Sequence, residues 1–179
     1  AFLDVDDIWN KDKLINQIKV FDNKEVGISY TNVLFFSKKT KENLYRPNYN
    51  FSLNTQSLIT SYPLSLDSIM IDLNKVKKLD YQFDERFSHI SDFDLMVRLS
   101  SISEIKYLDQ VLSGWRIHKN NESFKRRELF NQEMEIWCNL HINNKYLAKY
   151  KKEIMVLKLV VEAENRIFNY SFNLMVFKR

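Results

Sequence analysis

Cysteine, glycine and proline are nearly missing from this sequence, which holds one Cys, two Gly and two Pro in 179 residues. A single Cys138 excludes an intrachain disulfide and any cysteine-rich metal site, and reads as a small buried thiol in a reducing compartment. Gly and Pro fall far below their usual ~7% and ~5%, so the turns must be built from Asn, Asp and Ser. No apolar run approaches the ~20 residues that a membrane span requires. The strongest runs, Ile154 to Leu157 and Leu159 to Val161, are cut by Lys158 and Glu162. What is present is apolar material for a sizeable core, 45% hydrophobic and 14% aromatic, enough for one ordinary globular domain. The chain starts at Ala1 within an apolar stretch and without an initiating Met, so we expect a fragment whose N-terminal part is lacking.

Charge is uneven along the chain. Residues 1–110 carry a balance of −2 and residues 111–179 one of +6, which together give the net +4. A basic C-terminal third suits anionic lipid headgroups, nucleic acid or phosphorylated substrates. Its lysines alternate with glutamates, however, as on a solvated helix face.

The opening run Ala1-Phe2-Leu3-Asp4-Val5-Asp6-Asp7-Ile8-Trp9 places three carboxylates within four positions after apolar residues. Asp is depleted in strands, so we expect a strand that ends in a cation site. Packed carboxylates repel unless a positive charge sits among them, and hard oxygen ligands suit Mg²⁺ or Mn²⁺ bridging to phosphates. A helix N-cap explains one carboxylate but not three.

Further along, Leu14, Ile15, Ile18 and Phe21 have helical spacing, and Val26 to Phe36 reads as a strand or a bent pair of strands. Residues 37–63 read as a long loop with short pieces of structure, of a length usually reserved for lids or binding walls. A short strand at Ser68 to Asp72, a short helix marked by Leu73, Val76 and Leu79, and a Phe83-Asp84-Glu85 turn follow. A helix is expected over Asp92 to Ser101, and a strand over Ile105 to Ile117 broken near Gly114. Two helices, about 122–140 and 145–168, close the chain. In the second, Leu147, Tyr150, Ile154, Leu157 and Val161 form a packing stripe. Strands separated by helices indicate an α/β sheet, whose ligands lie at the carboxyl ends of the strands.

Three motifs occur in succession: Asp4-Val5-Asp6-Asp7; then Phe83-Asp84-Glu85 with Ser91-Asp92-Phe93-Asp94-Leu95 and Arg98; then Trp115-Arg116-Ile117-His118 with an Asn-rich turn. The succession resembles the family 2 glycosyltransferases of the GT-A fold. The resemblance covers about residues 1–123 and leaves the last two helices unassigned. It implies an α/β domain with a GT-A-like mixed sheet flanked by helices, truncated at its N-terminus, in two parts. Residues 1–121 would be the C-terminal part of the transferase domain, and 122–179 a helical extension.

The resemblance also implies roles. Asp6 and Asp4 correspond to the family's Asp-x-Asp, with Asp6 as a metal ligand and Asp4 touching the metal or the donor ribose. Asp7 would cap the next helix. His118 would reach the metal or the diphosphate, with a purely structural imidazole as the other reading. Arg116 would clamp a phosphate or pair with a nearby Asp. Asp92 would be the base that takes the acceptor's proton. Asp94 and Arg98 have the spacing of a helix ion pair. Ser91 departs from the family, which has Glu before the catalytic Asp.

The implied reaction is metal-dependent transfer of a sugar from a nucleotide-diphosphate donor to a glycan or lipid-linked acceptor, in surface polysaccharide biosynthesis. Its setting would be the cytoplasm, with peripheral contact at the inner face of the membrane through the basic C-terminal helices. The fragment alone should be inactive, because the family builds nucleotide recognition from residues before Asp-x-Asp. Two alternatives stand beside it. A degenerate, non-catalytic interaction module is suggested by Ser91. A haloacid-dehalogenase-like phosphatase shares the Asp-x-Asp after a strand, but position 8 is Ile instead of Thr or Val. No nucleic-acid partner is expected, since no aromatic platform or known module accompanies the basic tail.

Overall fold

In the computed structural model, residues 1–45, 52–121 and 126–176 are described, with backbone alone over 168–176. Five strands form one mixed sheet: β1 Ile8–Trp9, β2 Val26–Phe36, β3 Lys41–Asn43, β4 Met70–Ile71 and β5 Glu104–Arg116. The order is β1-β5-β2-β3, with β4 also paired to β2. At its centre β2 and β5 run parallel, from Val26 opposite Glu104 to Phe36 opposite Arg116, while β1, β3 and β4 pair antiparallel at the margins. Buried on both faces, β2 is a nearly continuous β-branched and aromatic run, as a central strand requires.

Around the sheet lie α1 Lys13–Gln17, α2 Thr55–Thr60, α3 Leu73–Val76, α4 Ser91–Ser100, α5 Arg127–His141 and α6 Lys151–Val176. One cluster of buried apolar side chains runs from Ile28 and Tyr30 of the sheet through Leu95, Met96 and Leu99 of α4. It continues into Met134, Trp137 and Cys138 of α5 and Ile154 and Val161 of α6. The stripe expected from Leu147 to Val161 faces this core, with Tyr150 and Leu157 partly buried at its edge. Burial pushes the Cys138 thiol up to about 12, which leaves it an inert packing residue. Buried Asp94 joins α4 to its surroundings. It pairs with Arg98 at 2.6 Å and accepts Trp137 Nε1–H at 3.0 Å, while Arg98 also donates to the carbonyls of Tyr81 and Gln82.

The mixed sheet flanked by helices matches the fold class expected. Several local expectations need correction. Residues 1–7 form no strand; none pairs in the sheet, and a turn closes where Asp7 N–H donates to Asp4 C=O at 3.2 Å. The strand signal belongs to Ile8–Trp9, which pairs with Ser113 and Gly114. Strand β5 is not broken at Gly114; its irregular register lies earlier, opposite Val26 to Ile28 and Thr31 to Val33. Gly114 serves close packing instead, since a Cβ there would meet Ile8 at 3.0 Å and Phe36 at 3.1 Å. The apolar residues Leu14, Ile15 and Ile18 are exposed. The buried side of α1 is polar: Lys13 Nζ donates to Gln17 Oε1 and Ser68 C=O, and Gln17 Nε2 donates to the carbonyls of Ser29 and Ser68. The expected helix over 122–140 begins at Arg127, and residues 122–125 lie outside the described residues.

Candidate active site

The carboxyl ends of the parallel strands β2 and β5 meet at Phe35 and Trp115, whose rings pack edge to face with centroids 5.0 Å apart. There a cleft of about 730 Å³ opens. Its walls include Asp4, Asp7, Asp67 and Asp92, the aromatic rings of Phe35, Tyr62 and Trp115, and Arg126 and Arg127 of the α5 region. Residues from the first and second motifs, Asp4 and Asp92, therefore share one cavity, whereas Asp6, Arg116 and His118 do not line it. Leu44, Tyr62 and Pro63 from the long 37–63 connection form part of its wall, the role that its length suggested.

Asp6 sits between two cleft residues and is drawn to the loop after β5. His118 Nε2 lies 2.5 Å from Asp6 Oδ2. Asn120 N–H donates to His118 Nδ1 at 3.1 Å, so Nδ1 carries the lone pair and Nε2 carries the proton given to Asp6. Asn121, buried, shapes this loop: its Oδ1 accepts His118 N–H at 2.6 Å and its Nδ2 donates to Arg116 C=O at 3.0 Å. The His118 bond holds the Asp6 carboxyl below its ordinary value.

Arg116 donates from Nε to the Asp6 carbonyl at 2.9 Å and stacks its guanidinium over Phe36 at 4.7 Å. Its backbone N–H donates to Asp7 Oδ1 at 2.9 Å. Asp7 therefore binds the strand end, and Asp12, not Asp7, stands at the N-cap of α1. Burial raises the Asp7 carboxyl to about 6, with Asp67, Asp6 and Asp4 adding repulsion against the pull of the Arg116 N–H. Asp4 is likewise raised by burial, then by Asp6 and Asp67. These two aspartates are crowded by like charge.

Asp92 occupies the first turn of α4, where Tyr62 O–H donates to its Oδ2 at 3.1 Å. Burial raises the Asp92 carboxyl, although the N–H of Phe93 and the Tyr62 hydroxyl pull the other way. A half-buried carboxylate on a cleft wall with raised proton affinity is suited to general-base work.

Among the described residues no group of three or more His, Cys, Asp or Glu converges as a ready metal cage. Asp6 and His118 would offer a divalent ion one carboxylate and one imidazole nitrogen only if the ion displaced the Nε2 proton that His118 now gives to Asp6. Mg²⁺ in phosphate sites typically takes only one or two protein ligands, with phosphate and water completing the shell.

Sequence reasoning passed over Asp67, Tyr62 and Glu133. Asp67 is 2% exposed and reaches the cleft from the Leu66–Ser68 turn, where the Ser65 hydroxyl donates to its Oδ1. Nothing in its local sequence marks it. Tyr62 lies in the long segment expected to form a binding wall, but nothing in the sequence marks it as the partner of Asp92, and Glu133 has the pattern of a solvated helix face.

No protein-family model matches the chain. It is 26% identical over 171 residues to an uncharacterized glycosyltransferase of Rickettsia bellii, and 24% identical over 169 residues to one of Rickettsia felis. Each match takes in 93% of this chain, which spans 24% and 28% of the two relatives' lengths. Among solved structures it resembles S. aureus TarS 1-349 in complex with UDP-GlcNAc, with a TM-score of 0.62, 16% identity, and coverage of 89% of this chain and 47% of that one. The complex of the same TarS segment with UDP gives 0.61, 17%, 89% and 45%. The mixed α/β fold is thus similar to that part of TarS, and the curated relatives carry the glycosyltransferase name.

Proposed function

We propose that this chain carries the diphosphate-holding and base-bearing part of a glycosyltransferase. Sugar passes from a nucleoside-diphosphate donor to a hydroxyl of a glycan or lipid-linked acceptor. The observation that carries this is the meeting of Asp4, Asp7 and Asp92 in one cleft at the strand ends, beside the Asp6–His118 pair. The names of the curated relatives, and the UDP and UDP-GlcNAc bound by TarS, support it.

In this scheme Asp92 accepts the proton of the acceptor hydroxyl as that oxygen attacks the anomeric carbon, and Tyr62 keeps the carboxylate oriented. Asp6 and His118 would hold Mg²⁺ or Mn²⁺, with Asp4 near the ion or the donor ribose. When bound, the ion neutralises charge that gathers on the departing diphosphate. Arg116, with Nε already committed to the Asp6 carbonyl, offers its terminal amino groups to a phosphate. Residues 1–121 form the transferase part and 122–179 a helical extension that shares its core. Among the described residues no helix is long and apolar enough to cross a membrane. The positive balance of residues 111–179 supports peripheral attachment at the cytoplasmic face, in surface polysaccharide assembly.

Ser91, in place of the family's Glu, favours the second reading, a non-catalytic interaction module. A phosphatase of the haloacid-dehalogenase kind needs its nucleophile at a strand end, whereas Asp4 lies in a turn. The test is thermal shift of the full-length protein with UDP, GDP, CDP or dTDP and Mn²⁺ or Mg²⁺. One of these pairs should raise Tm, and Asp6→Ala should abolish the rise. No shift with any pair would overturn the transferase reading.

A further inference from the structure

The helix that carries Asp92 has no capping side chain of its own, since Ile90 stands at its N-cap. Between Glu85 and Asp92 the sequence offers no acidic residue that could take over. What α5 supplies is an acceptor for the turn that leads into this helix. Glu133, 5% exposed, receives Ser88 N–H at 3.0 and 3.1 Å, His89 N–H at 2.8 Å and Ile90 N–H at 3.2 Å. It also receives the Ser88 hydroxyl at 2.8 Å.

Burying a carboxylate is costly, and truncating its partners strands the charge. Here the donors win: against the upward push of burial, the N–H groups of Ser88, His89 and Ile90 and the Ser88 hydroxyl hold the Glu133 carboxyl below its ordinary value. A second tie follows one turn later. Trp137, one turn along α5 from Glu133, donates to Asp94, and His141 Nε2 approaches the same oxygen at 3.4 Å. Asp92 thus lies between two buried anchors that both belong to α5. Ser88, His89, Ile90, Asp92 and Met134 all border the cleft, so the clamped turn is itself cleft wall.

We propose that Glu133 is a positioning residue for the Asp92 base, fixing the Ser88–Ile90 turn so that Asp92 faces the acceptor. Helix α5 is then part of the catalytic apparatus and not merely a packing element. This rests on the transferase reading above. A shift of about 1 Å in a reacting group can cost on the order of a hundredfold in rate.

The experiment compares wild type, Glu133→Gln, Glu133→Ala and Val161→Ala in the full-length protein, at a temperature where all four are folded. Val161 is buried on α6 and serves as a destabilised control that leaves the turn untouched. The readouts are release of nucleoside diphosphate from a panel of nucleotide sugars starting with UDP-GlcNAc, and amide exchange over residues 88–94. Glu133→Gln should lower kcat by at least about tenfold, with donor KM and the nucleoside-diphosphate Tm shift unchanged and faster exchange confined to 88–94. Val161→Ala should keep its kcat. Equal kcat in Glu133→Gln and Val161→Ala, or unchanged exchange at 88–94, overturns the positioning role alone. A wild type that binds no nucleoside diphosphate sinks the transferase reading and the positioning role with it.

Discussion

His118 Nε2 and Asp6 Oδ2 lie 2.5 Å apart, joining positions separated by 112 in the sequence. The imidazole is the largest influence on the Asp6 carboxyl and holds it low. His118→Ala should therefore return Asp6 toward its ordinary titration, followed by carboxyl NMR. Because the folded value is depressed, this bond adds stability above the unfolded pKa and loses it as pH falls through the folded one. An Asp6 titration that stays in place in His118→Ala would show that another group sets it.

Asp7 behaves with the opposite sign. Its folded value, about 6, lies above the ordinary 3.8. The folded protein binds this proton more tightly than the unfolded chain, so the Asp7 contribution to stability grows as pH falls from about 6 toward 3.8. A cation held among these carboxylates competes with that proton. Mn²⁺-dependent nucleoside-diphosphate binding should therefore weaken below about pH 6, and Asp7→Asn should flatten that dependence. Calorimetry at pH 5 and 7.5 on both proteins decides it.

Asp92→Asn should leave nucleoside-diphosphate binding intact and reduce transfer by about 10²- to 10⁴-fold, the range of a positioned general base. Tyr62→Phe removes a donor that lowers the Asp92 carboxyl. The rising, acidic limb of its kcat–pH profile should then move to higher pH. A limb that does not move would separate Tyr62 from the base.

Asp94→Ala would leave Arg98, itself buried, without its ion pair and leave Trp137 Nε1 without an acceptor. We expect a loss of about 3–5 kcal/mol, as for other broken buried pairs, measured by urea unfolding. A loss below about 1 kcal/mol would mean that solvent reaches the Arg98 guanidinium and replaces the carboxylate.

Gly27→Ala would bring a Cβ to 2.1 Å from Ser103 Oγ and 2.5 Å from Ser103 Cβ, so β2 or the turn after α4 must move. The expected cost is about 1–3 kcal/mol. Ser103→Gly in the same protein should recover most of it, which thermal unfolding of the single and double variants would reveal.

Much of this architecture can be read from the residues. The β-branched run Val26 to Phe36, the α4 pattern and the Leu147 to Val161 stripe each report a buried face, and burial is what periodicity measures. The errors arise where pairing or polar contacts decide. Phe2 and Leu3 look like strand but have no neighbouring strand to bond, and Phe2 packs on Phe83 instead. The apolar side of α1 points outward because Lys13 and Gln17 are held by carbonyls of Ser29 and Ser68, which no local pattern announces. In the site, the Asp4, Asp6 and Asp7 cluster stands out against strand propensity, whereas Asp92 and His118 are legible only through the resemblance to the glycosyltransferase pattern. Asp67 and Glu133 are legible in neither way, since their surroundings come from segments far away in the chain.

The two strands that carry the sheet, β2 and β5, pair in parallel across a separation of about eighty residues, and parallel pairing of distant segments is slow to form. Everything at their carboxyl ends, including the His118 loop and its grip on Asp6, waits for that closure. Ligand competence should therefore be the last property regained on refolding, well after helical ellipticity, and the chain should be most prone to aggregate in the interval between the two.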